Sequence, residues 1–556
     1  MEFLHDNLAP VMFFNLIVFL LLGFPVAFTL AAIGILYGLL AIELGMMQPA
    51  LFQALPQRVF GIVENDTLLA VPFFTLMGLI LERSGMAEDL LDTIGQLFGP
   101  LRGGLAIAVV LVGAMLAATT GVVSASVISM GLISLPIMLR YGYDRRLASG
   151  VIAASGTLSQ IIPPSIVLII LADQLGRSIG DMYRGAMLPG LLLTSVYIAY
   201  IVVVSFIKPN SAPALPPEAR VYVEPDGSRG LRSLLVLTVL ASAVAYFGSA
   251  HYFATHPNVP VDEHVVVLLL LWGATAWVIA GVNKVCKLNL LSRIAERVVF
   301  VMIPPLFLIF LVLGTIFIGL ATPTEGGAMG AVGAILMAVA RGRLTMSLLR
   351  QAMDSTTRLS CFVVFILVGS TVFSLSFRGI NGDLWVESLL LDLPGGEWGF
   401  LIVVSVLTFV LAFFLDFFEL AFIIVPLLGP IADKMGIDLI WFGVLLAVNM
   451  QTSFMHPPFG FALFFLRSVA PKQDYTDVVT GQRIRKVSTG DIYWGSVPFI
   501  VIQLCMVALV MVYPGMVTHY KHGAQVMDES EVQFGSDNVY GSDEAFGGMD
   551  AGAAFQ

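Results

Sequence analysis

Four polar interruptions within long apolar segments carry the residues best suited to chemistry. Two lie in the first half, AATTGVVSAS and SGTLSQIIPPS, and two in the second, FLDFFEL and NMQTSFMHPPFG. Consecutive prolines remove two backbone donors, and in a bilayer the freed carbonyls must be buried in protein or line a polar cavity. Such carbonyls, with Ser, Thr and Asn oxygens, suit a small cation such as sodium, whereas helix N-termini at the breaks favour a carboxylate.

Each interruption also has a purely structural interpretation. Serine and threonine in membrane helices usually bond to their own backbone or join helices, and Pro304-Pro305 is a proline pair without polar neighbours. The four interruptions form a set that is matched between the two halves, which favours function. We therefore expect four residues of these interruptions to contact a substrate: Ser126, Ser165, Asn449 and His456. His456, like Gln451, could equally be a polar core residue.

Asp416 and Glu419 are the acidic residues of the interruption FLDFFEL. A spacing of three places two residues on one face of a helix, and a carboxylate at membrane depth is costly enough to suggest a functional role. The alternative is a pair of buried carboxylates that accept hydrogen bonds from backbone amides at a turn. Elsewhere, Thr322 and Glu325 follow a helix end and are interpreted as part of an N-cap set.

The composition is that of an integral membrane protein. Of the 556 residues, 58% are hydrophobic and 12% are charged, whereas soluble domains carry about 25% charged residues. A net charge of −10 does not suggest a nucleic-acid partner. The three cysteines are widely separated, so neither a metal cluster nor a disulfide framework is expected. Without a HExxH motif, a nucleophile elbow or a phosphate-binding GxxxxGKS or GxxxxGKT, neither an enzyme nor an ATP-driven pump is expected.

Two pairs of short apolar segments, near 102–139 and 398–433, interrupt the series of full-length spans. Their arms have about 16–18 residues, which is short for a complete crossing. Basic residues flank the first pair on both sides, so both ends are predicted to be cytoplasmic. Re-entrant hairpins explain both features, and two short crossings would explain the charges as well. We predict hairpins, each followed by a broken helix near 147–172 or 438–466.

The distribution of basic residues predicts the orientation of the whole chain. With a periplasmic N-terminus and two hairpins, 22 of the 28 Lys and Arg residues are cytoplasmic (28 − 6 = 22). The six assigned to the periplasm are Arg58, Arg177, Arg184, Arg378, Lys434 and Lys521.

The two halves of the chain resemble each other at one fixed offset. A shift of 294 residues (379 − 85) aligns Gly85 with Gly379, and the same shift aligns the pair Pro163-Pro164 with Pro457-Pro458. The first half starts outside and the second inside in the predicted topology, so the repeats are inverted. Secondary transporters often follow this plan and bind their substrate where the repeats meet.

The repeats divide the chain into four regions. The predicted boundaries are a first repeat at 1–207, a linker with an inserted helix pair at 208–297, a second repeat at 298–513, and an acidic, disordered tail at 514–556.

Four runs, TTGVVSASV, TLSQIIPPSIVLII, LATPTEGGAMGAV and QTSFMHPPFGFALFFL, resemble the large membrane subunit of tripartite ATP-independent periplasmic (TRAP) transporters. The likeness extends from about residue 10 to residue 513. It implies an all-α elevator-type secondary transporter of the bacterial inner membrane, in which two hairpins and two broken helices move against a scaffold. It further implies sodium as the coupling ion, an organic acid as the substrate, a periplasmic substrate-binding protein, and a small four-helix membrane subunit that is a separate chain.

The resemblance also implies two sodium sites, each between a hairpin turn and the neighbouring broken helix. Carried over by position, the first site would use Thr119, Thr120, Gly121, Ser124, Thr157, Ser159 and Pro163. The second would use Asp416, Glu419, Gln451, Thr452, Ser453 and Pro457. Only the second set contains carboxylates, so the two sites are expected to differ chemically.

Other classes of membrane protein remain as alternatives. The main one is a symporter of similar hairpin architecture that needs no binding protein. A channel fits inverted repeats with broken helices less well.

Overall fold

A computed structural model describes residues 2–222, 224, 230–255 and 261–523 of the chain, and within these ranges the side chains of 2–6, 118–120, 255, 261–263 and 522–523 lie outside that description. The described chain is predominantly helical. Most of the predicted acidic tail, from residue 524 onward, lies outside the described residues. In the part of it that is described, 514–523, an α-helix spans Gly515–Thr518 and a 3-10 helix spans His519–Gly523.

The first half of the chain forms ten α-helices. They are α1 (Glu2–Leu21), α2 (Val26–Glu43), α3 (Leu55–Val63), α4 (Ala70–Arg83), α5 (Met86–Phe98), α6 (Gly104–Thr120), α7 (Val123–Arg140), α8 (Arg145–Thr157), α9 (Ile166–Gln174) and α10 (Ile179–Ile207). Short 3-10 helices occupy Pro49–Ala54, Asp66–Leu69, Leu158–Gln160, Pro209–Ser211 and Pro217–Ala219. Two long helices, α11 (Leu231–Thr255) and α12 (Val261–Val285), follow.

The second half forms eleven α-helices and one β-hairpin. Its helices are α13 (Arg293–Phe317), α14 (Pro323–Ala340), α15 (Met346–Gly379), α16 (Gly382–Leu391), α17 (Gly396–Leu411), α18 (Phe417–Ile423), α19 (Val425–Lys434), α20 (Leu439–Ser453), α21 (Phe461–Val469), α22 (Thr489–Val512) and α23 (Gly515–Thr518). A β-hairpin of β1 (Tyr475–Thr476) and β2 (Arg483–Ile484) lies between α21 and α22.

Among the described residues, nine helices are long and apolar enough to cross a membrane, or up to eleven if each bent pair is one span. Many large apolar side chains on them are exposed, for example Phe28, Phe206 and Val501. Exposed apolar surface on this scale fits a lipid environment. The chain is therefore a multi-pass membrane protein.

Local structure recurs at the offset of 294 residues. Asp144 and Asp438 are both N-caps, and each accepts hydrogen bonds from two following backbone N–H groups. Helix α7 begins at Val123 and the α18–α19 segment at Phe417, which is again 417 − 123 = 294. The Pro-Pro peptide bonds of the two breaks, in 163–164 and 457–458, are both cis.

The last helix of each half recurs at a different offset. Ser178 caps α10 by accepting from the N–H of Asp181, and Ser488 caps α22 by accepting from the N–H of Asp491. The shift is now 488 − 178 = 310, which exceeds 294 by 16 residues. Three residues separate α9 from its Ser178 cap, whereas eighteen separate α21 from Ser488. The β-hairpin is thus an insertion that the first half lacks.

Helices of the first half pack against helices of the second half. Helix α2 packs against α15 and α4 against α14, while α8 packs against α22 and α10 against α20. Small residues allow this close approach: a Cβ atom on Gly34 would lie 2.9 Å from the Cα of Phe373, and one on Gly150 would lie 2.0 Å from the carbonyl oxygen of Gly495. Each of these pairs joins the two halves, so each half buries part of its apolar surface against the other.

The predicted N-cap set before α14 is confirmed. The Thr322 hydroxyl accepts from the N–H of Glu325, and the Glu325 carboxylate accepts from the N–H of Thr322 in a complete capping box. Thr324 donates its hydroxyl proton to the Asp66 carbonyl at 2.6 Å, which ties α14 to the segment before α4.

Candidate functional site

Helices α6 and α7 fold back on each other at a two-residue turn, Gly121-Val122. Gly113 lies before the turn and Val127 after it, yet the two contact adjacent residues of α8. A Cβ on Gly113 would lie 2.5 Å from the Cβ of Ser155, and one on Gly156 would lie 3.1 Å from the Cα of Val127. We call α6, the turn and α7 the first hairpin.

Gly121 seats the first hairpin turn on the broken helix. Its φ is +59°, and a Cβ there would lie 3.0 Å from the backbone nitrogen of Ile166, the first residue of α9. Glycine is favoured at this position for two reasons, the left-handed backbone and the close approach. The turn is therefore in direct contact with the break between α8 and α9.

The break at 158–165 is buried and braced by hydroxyl groups. Ser165 donates to the carbonyls of Ser159 and Gln160 at 2.9 and 3.0 Å, which bridges the non-helical segment. Ser159 donates to the carbonyl of Gly156 at 2.9 Å. A hydroxyl that donates its proton to a carbonyl still presents oxygen lone pairs to the space around it. Ser159 thus keeps the chemistry expected of a cation ligand.

In the second half, α17, α18 and α19 with the turn at 412–416 form the counterpart, which we call the second hairpin. Asp416 is the N-cap of α18 and accepts from the N–H of Phe417 at 2.7 Å, while Glu419 accepts from the N–H of Asp416 at 2.9 Å. Since Asp416 lies before the helix, the argument that a spacing of three places both acids on one helical face does not apply. The structural interpretation, carboxylates bonded to backbone amides, describes these hydrogen bonds.

The second break, after α20, packs against α17. Asn449 donates to the Ser405 carbonyl at 2.7 Å, and Ser453 donates to the Phe409 carbonyl at 3.1 Å. His456 is half-buried, with its ring centroid 5.5 Å from that of Phe409 and 5.2 Å from that of Phe413. Asn449 and Ser453 therefore hold the break to the first arm of the second hairpin.

Thr157 and Gln451 mark the point where the repeats meet. The two residues differ by the repeat offset of 294, and the Gln451 amide donates to the Thr157 hydroxyl oxygen at 3.4 Å. The Gln503 amide donates to the same oxygen at 3.3 Å and to the Tyr197 hydroxyl at 2.8 Å. With two amide donors on its oxygen, Thr157 acts here as a junction residue. Sequence reasoning missed Gln503 and Tyr197, because only the folded chain brings their helices together.

A cavity of about 150 Å³ lies between the two hairpin turns. Its polar lining residues include Ser124, Gln160 and Asp416, and the Gln160 side-chain oxygen is buried without a hydrogen-bond partner. The described residues that line this cavity include no Lys or Arg. The remaining lining residues come from both hairpins and both broken helices: Gly121, Val122, Val123, Val167, Phe417, Phe418, Phe454, Phe461 and Phe465.

The structure brings part of each predicted site together. Gly121 and Ser124 of the first set meet Asp416 of the second set at the cavity. Glu419 instead lines a separate cleft of about 410 Å³ between α2, α15 and the second hairpin. The buried predicted residues Ser126, Ser165, Asn449, Thr452 and Ser453 are not among the cavity's lining residues.

The structure says less about the other predicted sodium ligands. Pro163 and Pro457 lie in the breaks themselves. The side chains of Thr119 and Thr120 lie outside the described residues, so their predicted role stays a prediction. Gln160 stands within the motif SGTLSQIIPPS, and a polar residue three positions before Pro163 was the signal that could have singled it out.

A family model described as the tripartite ATP-independent periplasmic transporter, DctM component, matches residues 13–516. The chain belongs to this family. The resemblance based on the four motifs is therefore confirmed. A named relative is the C4-dicarboxylate TRAP transporter large permease protein DctM of Pseudomonas aeruginosa, 28% identical over 86% of this chain and 91% of the relative.

Another relative of this TRAP large subunit is the ectoine TRAP transporter large permease protein TeaC of Halomonas elongata, which is 25% identical over 91% of this chain and 97% of the relative. Both relatives are transporter permeases and not enzymes. Among solved structures, the YdaH transporter of Alcanivorax borkumensis aligns over 84% of this chain and 88% of that chain, with 14% identity and a TM-score of 0.49.

Proposed function

We propose that this TRAP large subunit is the transport path of a sodium-coupled importer for a small organic acid in the bacterial inner membrane. A periplasmic binding protein delivers the acid, and a separate four-helix membrane subunit completes the complex. The N-terminus is periplasmic. The two hairpins and two broken helices form a mobile elevator domain, and the scaffold includes α2, α4, α14 and α15.

One observation carries the choice of an organic acid. The first turns of three helices without side-chain caps line the 150 Å³ cavity, with Val123 of α7, Val167 of α9 and Phe461 of α21. The N-terminus of α18 also lies at the cavity, but Asp416 and Glu419 already cap it. Helix N-termini carry partial positive charge and unpaired N–H groups, so several of them around one cavity favour a carboxylate. They supply the attraction that a Lys or Arg would otherwise supply. The volume is small beside the roughly 300–1,000 Å³ of drug-sized ligand pockets, which suits a small acid.

The same cavity also offers oxygen ligands suited to sodium. Asp416, Ser124 and Gln160 line the same cavity, and the buried Ser159 hydroxyl braces the adjoining break. Hard oxygen donors with one carboxylate suit a small hard cation, and a cation there would offset the cost of a charged group at membrane depth. A bound cation would in turn strengthen the attraction for the anionic substrate.

The contacts of the hairpin turn support a re-entrant first hairpin. Helices α8 and α9 together run from Arg145 to Gln174, and the break at 158–165 lies in the middle of that segment. The turn at Gly121 contacts the first residue after the break. If α8 and α9 form one span, the turn therefore lies near the middle of the bilayer.

The first hairpin turn also separates two spaces. Val122 and Ser124 line both the 150 Å³ cavity and a larger cleft of about 360 Å³ between α4, α7 and α15. The cleft contains Arg83, whose guanidinium donates to the Ser355 hydroxyl at 2.9 Å. A movement of this turn would connect the cavity with the side that carries most of the basic residues, which is the proposed route of release.

Replacing sodium by choline is expected to abolish substrate uptake by the reconstituted complex, because the coupling cation can no longer occupy the Asp416 region. Uptake should persist without ATP. Radiolabelled acid uptake into proteoliposomes, with a sodium gradient, a choline substitution and an ATP-free buffer, measures both. Full uptake in choline, or a requirement for ATP, would overturn the proposal.

The purified large subunit alone is expected to transport poorly, since a tripartite system relies on a binding protein for delivery. Adding the binding protein and the small subunit should restore uptake, and a binding protein with an emptied ligand site serves as the control. Robust sodium-driven uptake by the large subunit alone would instead favour the alternative, a symporter that needs no binding protein.

A further inference from the structure

The β-hairpin between α21 and α22 is an insertion with unusual surface chemistry. Its segment, 471–487, has no counterpart before α10, where three residues suffice to connect the corresponding helices. At its tip two adjacent valines are exposed, Val478 at 97% and Val479 at 69%. Single exposed apolar residues are common on proteins, but an adjacent pair at the end of a protruding hairpin calls for an explanation.

The hairpin is firmly held and not a loose loop. Asp477 accepts from the N–H of Thr480 at 2.8 Å within the turn and forms an ion pair with Arg140 of α7 at 3.0 Å. Arg145 of α8 donates to the Lys486 carbonyl at 3.0 Å. A hairpin fixed in this way could bury its tip valines against the protein, yet it presents them outward.

Basic side chains flank the valines. Lys472, Arg483, Arg485 and Lys486 are all exposed. The acids of the segment are compensated, because Asp474 pairs with Arg483 at 3.3 Å and Asp477 pairs with Arg140. Lys472, Arg485 and Lys486 therefore supply an excess of positive charge around an apolar tip.

The neighbouring helix shows where the hairpin lies relative to lipid. Helix α22 begins directly after the hairpin, and Trp494, Val501 and Leu504 form an exposed apolar stripe along it. Tryptophan is enriched at the headgroup level of membranes. Trp494 lies six residues after the Ser488 cap, or about 9 Å along the helix axis. The hairpin consequently lies at the membrane surface beside a lipid-facing helix.

We propose that the segment 471–487 is a lipid anchor, in which Val478 and Val479 enter the headgroup region of the leaflet while Lys472, Arg485 and Lys486 bind anionic phospholipid headgroups. Apolar residues with basic neighbours bind anionic membrane surfaces in this way. The charge distribution assigns this end of α22 to the cytoplasmic leaflet, where anionic lipids are attractive to basic segments. Because the hairpin is braced on α7 and α8, it would tether the mobile domain, and this consequence for transport rests on the proposed function.

Lipid-dependent fluorescence tests the anchor. In a background with Cys286, Cys361 and Cys505 replaced by serine, Val478→Cys is labelled with bimane and reconstituted into vesicles of brominated phosphatidylglycerol or brominated phosphatidylcholine. We expect bromine to quench the probe in the anionic vesicles. Each basic residue near an anionic surface contributes roughly fivefold in partitioning, so R485Q/K486Q should weaken embedding on the order of 25-fold and restore emission.

A matched variant, R350Q/R358Q, removes the same charge from exposed positions of α15 and should leave the quenching unchanged. Val479→Cys provides a second probe position if Val478→Cys folds poorly. The anchor is overturned if neither probe is quenched in anionic vesicles, or if R485Q/K486Q has no effect. The measurement needs neither sodium nor substrate, so its failure is distinct from a failure of the proposed transport function.

Discussion

Gly121→Ala is expected to abolish most sodium-driven uptake. The added Cβ would lie 2.9 Å from the side chain of Ile166 and 3.0 Å from its backbone nitrogen, and backbone at the start of α9 cannot move aside without shifting the broken helix. Overpacking of this kind typically costs about 1–3 kcal/mol. Here the strain falls on the turn between the cavity and the larger cleft. We expect uptake to fall roughly tenfold or more. A tenfold fall corresponds to a free-energy change of about 1.4 kcal/mol in the contact between the turn and the break.

Gly176→Ala is the matched control for this prediction. Gly176 has a similar left-handed φ of +61°, but a Cβ there would meet nothing within 4 Å. Both variants carry the backbone strain of a left-handed alanine, about 1–2 kcal/mol, so both melts should fall, and the melt of Gly121→Ala should fall further by the cost of its contact with Ile166. Only Gly121→Ala should lose uptake. Equal uptake in the two variants would show that the contact with Ile166 has no part in transport.

The local features of this fold could be predicted from sequence because their physics is local. The Asp144 and Asp438 caps and the Thr322–Glu325 capping box depend on side chains within three residues of a helix start. The proline pairs interrupt their helices for the same local reason. Because equivalent positions in the two halves are 294 residues apart, a cap or a proline break in one half indicates its counterpart in the other.

The arrangement around the cavity could not be predicted in this way. Whether Asp416 and Glu419 face one space or two depends on where α18 begins, and a shift of one residue changes the answer. Gln503 meets Thr157 across 346 residues, which no spacing rule reveals. The repeat of SxGDxY at Ser178 and Ser488 was visible in the sequence, but the inserted β-hairpin moved it out of the common register.

Asp416→Asn is expected to raise the sodium concentration for half-maximal uptake while leaving the fold intact. Asparagine caps helices as well as aspartate, so the bond from the N–H of Phe417 at 2.7 Å can persist and the melt should change little. The variant removes the charge of a residue that lines the cavity together with Ser124 and Gln160. Interactions with a charged group contribute about 1.5–3 kcal/mol, so the half-saturating sodium concentration should rise roughly 10- to 100-fold, as sodium titrations of uptake would show.

Glu419→Gln separates the role of the cavity from the role of the capping box. Glutamine can also fill this position of a capping box, and the variant removes one negative charge three residues away, but from a side chain that lines the other cleft. If Asp416 meets the cation, Glu419→Gln should leave sodium dependence unchanged. A similar shift in both variants would mean that the cation senses the combined charge of the turn, without direct contact with Asp416. An unchanged sodium dependence in Asp416→Asn would leave Asp416 with the structural role alone, as the N-cap that fixes the start of α18.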